Sequence, residues 1–453
     1  VTLGNPTNQV VSGEDVLDGD VPPAPVRVGP RHGFNRRRDW VLLLVVIVAL
    51  VAGLVLVWQT SEVNATESRT TDVNPGYLAQ PEVFPPSLGE AWRAKSPATW
   101  QPVVVGIDQN DQDIASTVVT GDGGEVAGRD PRTGDVRWTY RRGLDLCTIG
   151  VSWKKVIAVY RTGSGLLPSG DPRAEGGCSE ITALKPTSGE RDRQRHSDAE
   201  LGTKLLDDGV DYATFTGSKL LLSLRSDLVK TLEYGTVAAK VNPGKQPRTD
   251  CEFHTVLTTP GKVAVVESCP DETTDRLTVL RAAPAESDKP EEVTSLLLDG
   301  RGAQVVAMNN TLTAVALPDP GRVVVYNEQG QVQGTYPVEL GSSDLRADPP
   351  GHSPLVSTAT ATYHWYTGSR TVVLSAIDLS PLRTVPDTLG PGVVFAGRAL
   401  LPVANGLVVI DQASGDRIGT IPVDREGYSG PVTMSTVGPV VLEQRGDTVV
   451  ALH

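Results

Sequence analysis

The stretch VAGRDPRTGDVRW, Val126–Trp138, decides the fold. An apolar run leads into Arg129 and Asp130, a short polar turn closes on Gly134, and a second run ends in Trp138. The glycine supplies the positive φ that a tight hairpin turn needs. The same phrase returns as ITALKPTSGERD at Ile181–Asp192, VVVYNEQGQVQG at Val323–Gly334 and LVVIDQASGDRIG at Leu407–Gly419. Each is a strand, a turn ending in glycine (Gly134, Gly189, Gly330, Gly415) and a second strand. From the first of these glycines to the last are six steps of about 47 residues, a period in the range of β-propeller blades.

Weaker copies fill the gaps: Leu221–Tyr234 at the third step, Leu277–Leu298 with a long polar turn at the fourth, and Thr371–Val385 at the sixth. The chain ends in a strand, TVVALH at Thr448–His453, that lacks a partner. Glu90–Lys95 is the candidate, because its Trp92 stands where Trp138 stands in the first repeat. The expected fold is therefore all-β, a seven- to eight-bladed β-propeller with eight favoured. An N-terminal strand would complete the last blade and remove a free sheet edge. The repeat resembles the pyrroloquinoline-quinone type, V-x-A-L-D-x-x-T-G-x-x-x-W, which specifies fold and says little of function.

Ahead of the repeats, Trp40–Trp58 reads WVLLLVVIVALVAGLVLVW with no charge inside it. As a helix this run covers about 28 Å, close to the ~30 Å hydrocarbon core of a bilayer, with a tryptophan at each end where an interfacial belt belongs. Arg31, Arg36, Arg37 and Arg38 precede it, and Glu62, Glu67 and Asp72 follow. The positive-inside rule then puts the N-terminus in the cytoplasm and the rest outside. The expected organisation is a disordered cytoplasmic tail at 1–39, a transmembrane helix at 40–58, a periplasmic stalk at 59–88 and the propeller at 89–453. The expected location is the inner membrane, single-pass.

The 453 residues carry a net charge of −13 and only 5% aromatic side chains. The tail is neutral, so the whole excess falls on the outer part, and a nucleic-acid binder with a broad basic face is excluded. The four cysteines, Cys147, Cys178, Cys251 and Cys269, lie beyond the span, where an even number suggests disulfides. Three pairings are open, and proximity favours Cys147–Cys178 with Cys251–Cys269. None of the four forms a CxxC pair, so no metal is expected.

No catalytic constellation stands out. There is no G-x-S-x-G elbow, no calcium loop and no adjacent cysteine pair of the kind quinone dehydrogenases of this repeat type carry. Neither an enzyme nor a cofactor is expected. Tyr363, His364, Trp365 and Tyr366 bring together four rings, followed closely by Arg370. They read either as a stacking platform for a sugar or amphiphile or as a strand packed between blades. Arg225, Asp227 and Lys230 read either as a partner contact or as a salt-bridged hairpin.

The phrases VAGRDPRTGDVRW, DLCTIG (Asp145–Gly150), CSEITAL (Cys178–Leu184), LLDDG (Leu205–Gly209), SDLVKTLEYG (Ser226–Gly235) and DRLTVL (Asp275–Leu280) are similar to those of the actinobacterial polar growth factor A family. The resemblance extends to the Pro-containing tail, the arginines before one span and the outer propeller. It implies a non-catalytic partner of the inner-membrane mycolate glycolipid exporter, of the RND type. The implied ligand is trehalose monomycolate and the implied role is envelope assembly and polar growth. The alternatives are a scaffold for outer-membrane protein assembly, in a family that is usually lipid-anchored, and a transmembrane sensor with the tail as its output.

Overall fold

The computed structural model describes residues 37–59, 65–73, 76–105, 116–162, 176–237, 244–341, 344–345 and 351–453. The disordered tail expected over 1–39 lies outside them except for its last three residues, which belong to a helix. That helix, Arg37–Gln59, is 23 residues long and buries none of them. It is long and apolar enough to cross a membrane.

The second unit is an eight-bladed β-propeller. Its sheets run through 103–141, 146–196, 205–235, 252–297, 304–337, 356–386, 393–422 and 432–452, each antiparallel and ordered from the axis outward. The eighth sheet holds three strands from the C-terminus and takes Glu90–Lys95 as its outermost strand, paired with Thr448–Leu452 from Glu90↔Leu452 to Lys95↔Thr448. The count is eight, and the closing strand is the one the sequence nominates.

The repeat's tryptophans join neighbouring blades. Trp138, on the outer strand of blade 1, is fully buried and lies on Gly189 in the turn of blade 2. Its Nε1–H donates to the carbonyl of Pro186 at 2.9 Å. Trp92, on the outer strand of blade 8, lies on Gly134 of blade 1, and its Nε1–H donates to Pro131 at 2.8 Å. Leu296 takes the same place over Gly330, and Arg383 over Gly415. In two of the three weaker repeats the turn glycine is replaced by Leu228 (φ 62°) and Leu379 (φ 59°). A left-handed leucine costs roughly 1–2 kcal/mol. Both side chains are buried in the seams, and burying a leucine contributes about 1.5–3 kcal/mol, enough to offset that cost.

Buried ion pairs also lie where blades meet. Arg142 of blade 1 reaches Glu180 of blade 2 at 3.3 Å, and Arg425 and Arg445 both hold Glu443 in blade 8. Glu267 of blade 4 accepts from Tyr234 of blade 3 and from Arg248. The disulfides are Cys147–Cys178, within blade 2, and Cys251–Cys269, within blade 4.

The expected stalk needs correction. From residue 65 it lies against the propeller: Glu67–Arg69 adds a fifth strand to blade 1, and Thr71 N–H donates to Ser188 of blade 2. Gln80 then meets Thr436 and Ala396, Phe84 packs edge-on against Phe395, and Leu88 joins the core between blades 7 and 8. Apolar side chains at Leu78, Phe84 and Leu88 hold this strap down, although its polar residues read as linker.

Gly189 and Gly202 separate the tryptophan contact from the backbone. Both have positive φ, but a Cβ at Gly189 would lie 2.6 Å from the Trp138 ring, whereas one at Gly202 meets nothing within 4 Å. Gly202→Ala should cost only the backbone strain. Gly189→Ala should cost about 1–3 kcal/mol more, the usual penalty for overpacking, and lower the melting temperature further. Equal losses in thermal unfolding of the full chain would remove the tryptophan from the account of blade packing.

Candidate functional site

The first strands of the blades surround the axis, and residues just before them converge at one end of it. Trp100 precedes the inner strand of blade 1, Lys204 that of blade 3, and Gln304 opens that of blade 5. Gly351–Leu355, leading into blade 6, crosses to blade 4: His352 pairs with Thr255 in a parallel bridge, and its carbonyl accepts Val256 N–H at 3.0 Å. Gly351 passes so close to Gly217 that a Cβ would lie 1.9 Å from the Gly217 carbonyl oxygen.

Two cavities result. One, of about 390 Å³, is lined by Trp100, Lys204, Gln304, Tyr366, Tyr428 and Thr433, among others. The other, of about 300 Å³, is lined by residues including Leu206, Leu257, Met308 and Tyr363. Trp100, Ser353 and Pro354 line both and so stand between them.

The larger cavity, the mouth of the axis, has the furnishing of a binding site. Its two tyrosine rings are fixed by their own hydrogen bonds. Tyr366 OH donates to Gly368 O at 2.6 Å and Tyr428 OH to Pro431 O at 2.8 Å, which leaves each oxygen able to accept. The Thr433 hydroxyl donates to Trp100 O and ties blade 8 to blade 1. Two polar groups are unmatched among the described residues. The Gln304 amide, on a residue only 5% exposed, makes no side-chain hydrogen bond to protein. The Lys204 ammonium stands 5.1 Å over the Trp100 ring with no carboxylate partner, and burial draws it below the ordinary lysine value. Both groups open onto the cavity, where they are available to a ligand.

The four-ring run is dispersed rather than gathered. Alternation along Thr362–Tyr366 sends successive side chains to opposite faces. Trp365 is buried in the core shared with blade 5, and Tyr363 lines the smaller cavity. His364 faces blade 7, with Nδ1 at 3.3 Å from Pro391 O. Tyr366 alone reaches the mouth. Arg370 pairs with Glu339 at 3.2 Å. The platform reading of Tyr363–Tyr366 is thus corrected to a packed strand that contributes one ring. Arg225, Asp227 and Lys230 form a self-paired hairpin in blade 3. Arg225 bonds Asp227 at 2.9 Å and holds that carboxyl down to about 2, while Lys230 pairs with Glu233. Cys251, Glu267 and Cys269 come within ligand distance of one another, but both sulfurs are in the disulfide and the carboxylate is bonded to Tyr234, Thr278 and Arg248.

Sequence reading missed Trp100, Lys204, Gln304 and Tyr428. One signal could have found three of them. Once the blades are counted, residues at the entrance to each inner strand fall at one end of the axis. Trp100, Lys204 and Gln304 all hold such places.

No family model matches the chain, and no curated protein does. Among solved structures it is similar to BamB from Moraxella catarrhalis, at 14% identity over 81% of this chain and 99% of that one, with a TM-score of 0.45. It is similar to quinohemoprotein alcohol dehydrogenase from Comamonas testosteroni at 11% identity, over 81% and 76%, with a TM-score of 0.46. The Saccharomyces cerevisiae protein Sqt1 aligns at 10% identity, over 79% and 99%, with a TM-score of 0.45. At such identities the likeness concerns the fold alone.

His364 yields a pH prediction. Burial pushes its pKa down from 6.5 to about 4, so the folded state holds it neutral. As pH falls from about 6.5 to 4, the unfolded chain takes up a proton that the folded chain does not. Stability present above pH 6.5 should therefore be lost across that window, by about 3 kcal/mol. His364→Gln should flatten this part of the curve in urea unfolding; an unchanged slope would contradict the buried neutral imidazole.

Proposed function

We propose that this chain is a membrane-tethered, non-catalytic propeller that binds the sugar headgroup of an envelope glycolipid at the mouth of its axis. The observation that carries this reading is the mouth itself: about 390 Å³, with three aromatic rings and an unmatched Gln304 amide. Such a volume lies within the roughly 300–1,000 Å³ of small-molecule sites. Sugars lay their C–H faces on aromatic rings and exchange hydrogen bonds with amides and hydroxyls, and both kinds of group line this cavity.

The resemblance to the polar growth factor A family supplies the ligand and partner: trehalose monomycolate and the inner-membrane mycolate glycolipid exporter. A headgroup would enter the mouth and leave its acyl chain outside. In this reading the arginines before the helix stay in the cytoplasm and the propeller stands in the periplasm. The blades serve as a frame, holding rings from blades 1 and 6 and from the segment joining blades 7 and 8 around one cavity.

The test is binding of trehalose monomycolate to the full chain in nanodiscs. Tyr366→Ala and Tyr428→Ala should each weaken binding roughly fivefold, for about 1 kcal/mol of lost aromatic contact, without lowering the melting temperature much. Wild-type affinity in both variants would move the site elsewhere, and absence of binding by the wild type would discard the ligand.

A further inference from the structure

We infer that the mouth also takes an oxyanion, carried on a sugar or polyol, with Lys204 as its charge partner. The inference rests on the mouth being the ligand site, and it adds a ligand class that trehalose monomycolate, whose headgroup is uncharged, does not represent.

Three observations converge. First, four arginines of the blade seams sit against carboxylates, Arg142 on Glu180, Arg248 on Glu267, and Arg425 and Arg445 on Glu443, whereas Arg383 over Gly415 has none among the described residues. Lys204 has only the Trp100 ring, which covers one side of the ammonium and leaves other N–H donors directed away from it. Second, the chain has 54 acidic residues and a net charge of −13, yet among the described residues no Asp or Glu lines this cavity. Asp344, next to the lining residue Leu345, accepts at Oδ2 from Gly341 N–H at 2.7 Å and from the Ser369 hydroxyl at 3.1 Å, and its Oδ1 is buried without a partner among the described residues. Third, the unmatched Gln304 amide lines the same cavity and offers a neutral donor beside the charged one.

A phosphate or carboxylate fits this arrangement. It would supply the acceptors that the ammonium lacks, in a site partly shielded from water where a charge-assisted hydrogen bond counts for more. The ring beside it suits the C–H face of the sugar that bears the anion. The same chemistry could arrive as a phosphorylated polyol lipid headgroup or as a soluble sugar phosphate.

Calorimetric titration of the full chain in detergent micelles tests this, with glucose, glucose 6-phosphate, glycerophosphoinositol and lysophosphatidylinositol as probes. The wild type should bind glucose 6-phosphate at least tenfold tighter than glucose, with the gap narrowing as salt rises. Lys204→Met should bring the two sugars within about twofold of each other, and Lys204→Arg should keep most of the preference; melting temperatures show whether each variant is folded. Tighter binding of lysophosphatidylinositol than of glycerophosphoinositol assigns the site to a lipid, and equal binding assigns it to the soluble form. Equal affinity of the wild type for the two sugars, or a preference that survives Lys204→Met, overturns the inference. Trehalose monomycolate binding without any phosphate preference overturns this inference and leaves the proposed function standing. Absence of binding by every sugar and by trehalose monomycolate overturns both.

Discussion

The pairing of Glu90–Lys95 with Thr448–Leu452 is the contact on which the rest of the propeller depends. Without it the last sheet ends in a bare edge, and an exposed edge invites pairing with another chain. With it, the two ends of the domain are locked together and Trp92 is carried onto Gly134 of the first blade. The same strand fixes where the strap can run, because Leu88 and Gly89 lead directly into it and Gly89 exchanges hydrogen bonds with His453. The axis exists as an enclosed space only because the ring is closed: Thr433 of blade 8 bonds to the carbonyl of Trp100, beside blade 1, at the mouth.

How much of this could be read beforehand follows from where the information lies. The blades were legible because a tight turn needs a positive φ and a tryptophan needs a flat neighbour. Gly134 and Gly189 meet both needs at once and recur at the blade period. Leu228 and Leu379 hid two turns because their buried side chains, rather than backbone freedom, sustain the left-handed conformation. The strap read as a linker because three apolar contacts spread over a polar stretch make no period.

The mouth was hardly legible, since it is assembled from single residues contributed by separate blades. Trp100, Lys204, Gln304, Tyr366 and Tyr428 share no local motif, and their common property, standing at one end of the axis, is a fact of topology. The aromatic run at Tyr363–Tyr366 drew attention as a cluster in sequence, but strand alternation divides it between the core, the seam with blade 7 and the two cavities. What marks Lys204 is its place on this cavity without a carboxylate among the described residues, which only a three-dimensional accounting of charges reveals.

The central claim is that this protein meets its ligand at the mouth of the ring rather than on its rim. A photoreactive phenylalanine analogue placed at position 366, and in a second protein at position 377, tests it in growing cells. Ile377 is 84% exposed on the turn of blade 6, so it samples the rim. Irradiation followed by mass spectrometry should give glycolipid or sugar adducts from position 366 and none from position 377. Adducts from the rim with none from the mouth would contradict the account.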